Sequence, residues 1–225
     1  MGLNKVKGNM YDFVTHTWNP IKGDCHHSCA YCYMKAIAKR FNKPMPPAYF
    51  DEKELNTNLG KGNFIFVGSS NDLFAEGIPA EWINKTLDHC RKFDNRYLFQ
   101  TKNPARYDEF MQKILRRDIV VTTIETNRKY IVMGNTPHPR YRSMAMQSPF
   151  FYENTMITIE PVIDFDLQEF VEMVRGCKPK QVNVGADSGH NNLPEPPKEK
   201  ILQLIAELEK FTTVKQKSNL SRLLK

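Results

Sequence analysis

The sequence predicts an α/β fold built on a parallel sheet, and three observations carry that prediction. Short apolar runs alternate with helical segments six times between Tyr11 and Phe211. Such alternation calls for parallel strands joined by crossover helices. Polar side chains interrupt the apolar strands in pairs of equal parity, Gln100 with Lys102, Thr123 with Glu125, Thr158 with Glu160 and Asn183 with Asp187, so the members of each pair share a face. All of these pairs gather at C-terminal strand ends, where parallel α/β folds place their chemistry. Six units are too few for a closed eight-stranded barrel, and a doubly wound open sheet is the architectural alternative.

Taken in order, Tyr11–Trp18 is aromatic and β-branched and stops at Asn19-Pro20, which suits a first strand. A cysteine-bearing loop follows. The helical composition of Met34–Phe41 then runs until Lys43-Pro44-Met45-Pro46-Pro47 breaks it. Asn63–Val67 reads as a second strand buried on both faces, closed by Gly68-Ser69-Ser70-Asn71-Asp72, with a helix over Ala80–Phe93. Tyr97–Lys102 is the third strand, and its helix starts near Pro104, a residue tolerated in a first turn, and reaches Arg117. Ile119–Glu125, Met156–Glu160 and Gln181–Gly185 complete the strands, with helices over Asp166–Arg175 and Pro197–Phe211. Residues 212–225 read as a basic, solvated tail.

Asp24–Tyr33 reads Asp-Cys-His-His-Ser-Cys-Ala-Tyr-Cys-Tyr and places Cys25, Cys29 and Cys32 in a C-x3-C-x2-C spacing with Tyr31 just before the last. Thiolates so close, in a loop that Pro20 and Gly23 keep irregular, converge on an inorganic centre more readily than they bridge one another. Three thiolates on a 4Fe-4S cubane leave one iron open to a cosubstrate. A structural zinc completed by His16, His26 or His27 is the alternative, although paired C-x2-C knuckles are the commoner zinc arrangement.

Composition bounds the rest. With 225 residues and 40% apolar content the chain suits one domain. Five cysteines do not make a secretory framework, no apolar leader follows Met1, and no apolar run approaches membrane-spanning length. A monomer in a reducing cytoplasm, without membrane contact, is the expectation. The formal charge of +7 moves nucleic acid up the list of partners, with simple solubility as the bland reading. Between Asn127 and Pro149 the residues Arg128, Lys129, Tyr130, Arg140, Tyr141 and Arg142 interleave cations with aromatics, as phosphate contacts and base stacking require. Pro137 and Pro139 argue against a crossover helix there, and a merely flexible loop is the alternative. Cys90 and Cys177 stand apart and read as small buried apolar residues.

The C-x3-C-x2-C loop with its aromatic resembles the motif of the radical S-adenosylmethionine (SAM) superfamily. Trp18-Asn19-Pro20, Glu160-Pro161 and Gly185-Ala186-Asp187-Ser188-Gly189 are similar to small bacteriophage members related to the spore photoproduct lyase branch. The resemblance implies a partial (βα)6 TIM-like barrel, a 4Fe-4S cluster on Cys25, Cys29 and Cys32, and SAM chelated to the open iron and cleaved to a 5'-deoxyadenosyl radical. It implies SAM contacts from Tyr31, from Ser69, Ser70 and Asp72 where the family has a Gly-Gly-Glu-like stretch, from Lys102 toward the SAM carboxylate, from Thr123 and Glu125 toward the ribose and sulfonium, and from Glu160. A flavodoxin- or ferredoxin-type donor from the host would supply the electron. Viral relatives are associated with DNA base hypermodification, which makes an amino-acid-bearing thymine the expected substrate. Photoproduct-type DNA repair, radical chemistry on a metabolite or peptide, and a zinc-stapled nucleic-acid-binding protein are the alternatives.

Overall fold

Seven parallel strands succeed one another across the main sheet in the order in which they occur along the chain. The structure, a computed structural model, describes residues 2–6, 10–148 and 154–225. Strands β1 (Asn4–Lys5) and β2 (His16–Trp18) pair antiparallel at one edge. The sheet continues in parallel through β5 (Phe64–Val67), β6 (Arg96–Thr101), β7 (Ile119–Thr123), β8 (Thr155–Ile159), β9 (Gln181–Val184) and β10 (Thr213–Gln216). A separate antiparallel pair, β3 (Ile21–Lys22) and β4 (Tyr49–Phe50), flanks the cysteine loop.

Alternation along each strand sorts the side chains onto two faces. Ile65, Val67, Tyr97, Phe99, Ile157, Val182 and Val184 pack in one cluster with Ile83 and Leu87 of α2 (Ala80–Arg91), Phe170 and Val174 of α4 (Leu167–Gly176), and Ile201 and Leu204 of α5 (Lys198–Glu209). Phe66, Leu98, Val121 and Met156 point to the other face, where Tyr11 and Val14 cover them. The crossover helices thus share one side of the sheet. That arrangement and the unreversed strand order rule out the doubly wound alternative, which needs helices on both faces and a switch point. On the second face Thr123, Thr158, Asn183 and Lys215 stand opposite one another across β7 to β10, so the equal-parity polar residues line up as a row.

Three sequence expectations require correction. Residues 212–225 are not a solvated tail: β10 pairs with β9 from Thr213 opposite Gln181 to Gln216 opposite Val184, and Leu220 beyond it is fully buried. The segment after β6 is a 3-10 helix, Pro104–Phe110, rather than a long α-helix. Pro104, Tyr107 and Phe110 are the buried residues there, and a threefold helix stacks that spacing in one column. Within the expected irregular connection, α3 (Pro139–Met146) forms with Pro139 in its first turn and with His138 Nδ1 accepting from the Arg140 amide at 3.2 Å. Proline starts this helix instead of preventing it. Pro149 lies outside the described residues. No helix among the described residues is long and apolar enough to cross a membrane.

Candidate active site

A cavity of about 490 Å³ opens at the C-terminal edge of the sheet. Its wall takes residues from the ends of β5, β6, β8, β9 and β10 and, on the remaining side, from the loop between β3 and α1 (Tyr33–Arg40) that carries Cys25, Cys29 and Cys32. All three cysteines line it, with Tyr31, Ser69, Ser70, Asp72, Lys102 and Glu160.

The cysteine loop is held by backbone contacts on two sides. Gly23, at φ +88°, passes under residues 46–47, and a Cβ there would sit 2.4 Å from the Pro47 carbonyl oxygen. Only glycine accepts that conformation and that approach together. Asn71 Nδ2 donates to the Gly23 carbonyl at 3.1 Å from the β5 side. On the outer side, residues 127–138 wrap the loop: Ala30 N donates to Val132 O at 2.8 Å, and Asn135 N to His27 O at 2.8 Å. The Cys29 thiol donates to Met133 O at 3.4 Å. Cys29 is consequently buried, while Cys25 and Cys32 are partly open.

Burial, followed by the Asp72 carboxylate, pushes the Cys25 thiol up to about 11, against backbone N–H groups of Asp72 and His27 that favour the thiolate. Burial likewise raises Cys29, with Lys102 pulling the other way. Near neutral pH both thiols carry their protons, and a metal they take must displace them. Among the described residues no three His, Cys, Asp or Glu side chains are already gathered as a metal-ligating group. Of the imidazoles that could complete a zinc site, His27 lines the cavity, with Nε2 2.8 Å from Asp72 Oδ2 and Nδ1 buried without a partner among the described residues, His26 is exposed, and His16 Nδ1 meets Thr15 Oγ1 at 2.9 Å. Three soft donors bordering one cavity suit a cluster with an open position, and His27, which lines the same cavity, is the side chain that a tetrahedral zinc would take as its fourth ligand.

Behind the cysteines lies a buried ionic network. Glu125 is fully buried, and its Oε2 accepts from Arg142 Nη1 at 2.7 Å while Oε1 accepts from Tyr31 OH at 2.5 Å. Lys102 Nζ stands 3.9 Å from the same Oε1 and 5.6 Å from the centre of the Tyr31 ring. Burial opposes ionisation of Glu125, yet Arg142 and Lys102 hold its carboxyl below the ordinary range. Burial also opposes the charge on Lys102, and the Cys29 sulfur once it is ionised, together with Glu125, more than offsets it. Asp72 is equally engaged: Oδ1 accepts from Phe74 N at 3.0 Å, and Oδ2 from Lys102 N at 2.7 Å.

Thr123 and Glu125 do not reach the cavity wall as expected. Thr123 Oγ1 accepts from Gln100 Nε2 at 3.0 Å, and Glu125 is consumed by Arg142 and Tyr31. Glu160 does reach it. Its carboxylate lies between Lys217 Nζ at 2.7 Å and Asn219 Nδ2 at 2.8 Å, and a Cβ on Gly185 would come within 2.7 Å of it. Sequence reasoning missed Lys217 and Asn219, which it assigned to a tail; the β-branched pair Thr213-Val214 was the available signal. It also missed Tyr11, whose hydroxyl donates to Gln100 Oε1 at 2.8 Å and pairs with Thr158 Oγ1 at 2.6 Å beneath the cavity.

The expected nucleic-acid loop is dispersed. Arg142 is fully buried, with Nε donating to Pro137 O at 2.8 Å and Nη2 to Thr136 Oγ1 at 2.7 Å, so it has nothing to offer a phosphate. Arg128 is paired with Asp164 at 2.6 Å and with Asp166, and Lys129 Nζ donates to Gly134 O at 3.1 Å and Thr136 Oγ1 at 3.1 Å. Tyr130 OH donates to Asp164 O at 3.2 Å. Lys129, Arg140 and Tyr141 of that group are exposed, and Lys129 is already engaged by Gly134 and Thr136. Cys177, away from the cavity wall, is buried against Ser143, its sulfur 3.4 Å from Oγ.

One family model, described as "Protein of unknown function (DUF5131)", matches residues 9–198. No curated protein matches the chain.

Proposed function

The chain belongs to the DUF5131 family, and from that premise, which brings no activity with it, we propose that the protein is a radical SAM enzyme acting on a nucleic-acid base. In this reading Cys25, Cys29 and Cys32 hold a 4Fe-4S cluster, and SAM occupies the cavity beside it. The observation that carries the proposal is the common cavity of these three cysteines with Tyr31, Lys102 and Glu160 at the C-terminal edge of a parallel sheet. A volume near 490 Å³ falls among small-molecule sites, which span about 300–1,000 Å³. Strand order following chain order, with the helices on one face, supports the partial (βα)6 barrel type.

When bound and reduced, the cluster would supply the electron that cleaves the SAM sulfonium to a 5'-deoxyadenosyl radical, which takes a hydrogen atom from substrate carbon. The chain's own residues bind and orient. Lys102, kept cationic by Glu125, offers its ammonium to a carboxylate. Glu160, fixed by Lys217 and Asn219, retains lone pairs for hydroxyl protons. Residues 127–138 exclude water from Cys29. The formal charge of +7 supports a polyanionic substrate, and an amino-acid-bearing thymine in DNA is the one we favour, the base leaving its stack to reach the cavity.

Anaerobic reconstitution with iron and sulfide should give a brown protein that releases 5'-deoxyadenosine from SAM only with dithionite, and Cys29→Ala should abolish both. Nucleoside mass spectrometry of phage and host DNA treated with the reduced enzyme then identifies the product. A colourless, oxygen-protected protein carrying zinc and no iron would refute the proposal.

A further inference from the structure

Of the α-helices among the described residues, α1 alone buries no side chain. Tyr33, Ala36, Ile37 and Arg40 recur at i, i+3, i+4 and i+7 and so share one face. That face is turned to solvent: Tyr33 is 53% exposed, Ile37 43%, and Phe41 just beyond 63%. An apolar stripe presented outward marks a contact surface.

Charge indicates what covers it. From Cys25 to Phe50 the chain has no Asp or Glu, while Lys35, Lys39, Arg40 and Lys43 fall within that span. None of these four takes part in an ion pair among the described residues, whereas Arg128, Arg142 and Lys217 are neutralised by Asp164, Glu125 and Glu160. The position of the helix adds to this. Helix α1 leaves directly from Cys32, and Tyr33 and Lys35 themselves border the cavity, with Tyr33 OH donating to Ser69 O at 2.9 Å.

We infer that the outer face of α1, continued through Phe41 and Lys43, is the docking surface for a single nucleic-acid strand. Phosphates lie along Lys39, Arg40 and Lys43, bases stack on Phe41 and Tyr33, and the strand crosses the cavity mouth. Unpaired cations beside exposed rings are what sequence-tolerant single-strand binding uses. The inference rests on the reading of the cavity as a base-modifying site and relocates strand contact from residues 128–142 to residues 33–43.

The test is fluorescence anisotropy with a labelled single-stranded DNA of about 12 nucleotides, inside the ~4–16 that such surfaces cover, over a range of salt. The triple variant Lys39→Glu/Arg40→Glu/Lys43→Glu changes only exposed side chains. It is expected to bind at least tenfold more weakly, with the slope of log affinity against log salt reduced by about 2, since each single-strand phosphate contact contributes ~0.7. Phe41→Ala should weaken binding about fivefold or more at unchanged slope. The Cys29→Ala protein should keep the oligonucleotide. Retained binding without SAM cleavage in the wild-type protein would refute the radical reading and leave the docking face intact. Unchanged affinity and slope in the triple variant overturns the docking face, as does a loss confined to phosphatidylserine vesicles.

Discussion

Gly134 sits where the 127–138 segment crosses the cysteine loop, and replacing it with alanine tests whether that crossing holds the loop. Its φ of +60° lies where side chains are strained, and a Cβ would fall 2.3 Å from His27 O and 2.8 Å from Ser28 O. Both are backbone atoms, so no side-chain rotation relieves the overlap. The dihedral costs ~1–2 kcal/mol and the overlap a further ~1–3 kcal/mol. At ~2–4 °C per kcal/mol for a chain of this size, the sum of about 2–5 kcal/mol lowers the melting temperature by about 4–20 °C. Gly62 provides the control, with φ +73° and nothing within 4 Å of its Cβ position; Gly62→Ala should show only the dihedral cost, about 2–8 °C. In Gly134→Ala the segment should yield where it is thinnest, losing the Ala30 N to Val132 O and Asn135 N to His27 O bonds and uncovering Cys29. Thermal melts beside the rate of Cys29 modification by a thiol reagent read both effects. If Gly134→Ala melts with Gly62→Ala and Cys29 reacts at the wild-type rate, the segment does not hold the loop.

Arg142→Met should cost ~3–5 kcal/mol in denaturant unfolding because Glu125 is left as a buried charge, and adding Glu125→Gln should recover most of that loss. Leu220→Ala should cost ~2–5 kcal/mol, where a residue of a solvated tail would stay within ~0.5 kcal/mol. Asp166, held down to about 2 by hydrogen bonds from Arg128 and Asn127, contributes stability that is complete above the ordinary aspartate pKa and disappears as pH falls through its folded value. The difference in melting temperature between wild type and Arg128→Gln should therefore shrink between about pH 4 and pH 2; a constant difference would show that the pair carries no such linkage.

What the sequence alone determined were the local quantities. Six strands follow from apolar runs, the shared face of Gln100, Thr123, Thr158 and Asn183 follows from parity, and the cysteine loop follows from spacing, because each depends on neighbours along the chain. The tertiary structure decided which polar groups are consumed by one another. Arg142 and Arg128 read as free cations until Glu125, Asp164 and Asp166 are seen against them, and Glu125 reads as a ligand until Tyr31 and Arg142 take its oxygens. Thr213–Gln216 is a strand only because β9 offers an edge to pair with. Packing sets these charged groups against partners far away in sequence, and pattern within a window contains no record of that choice.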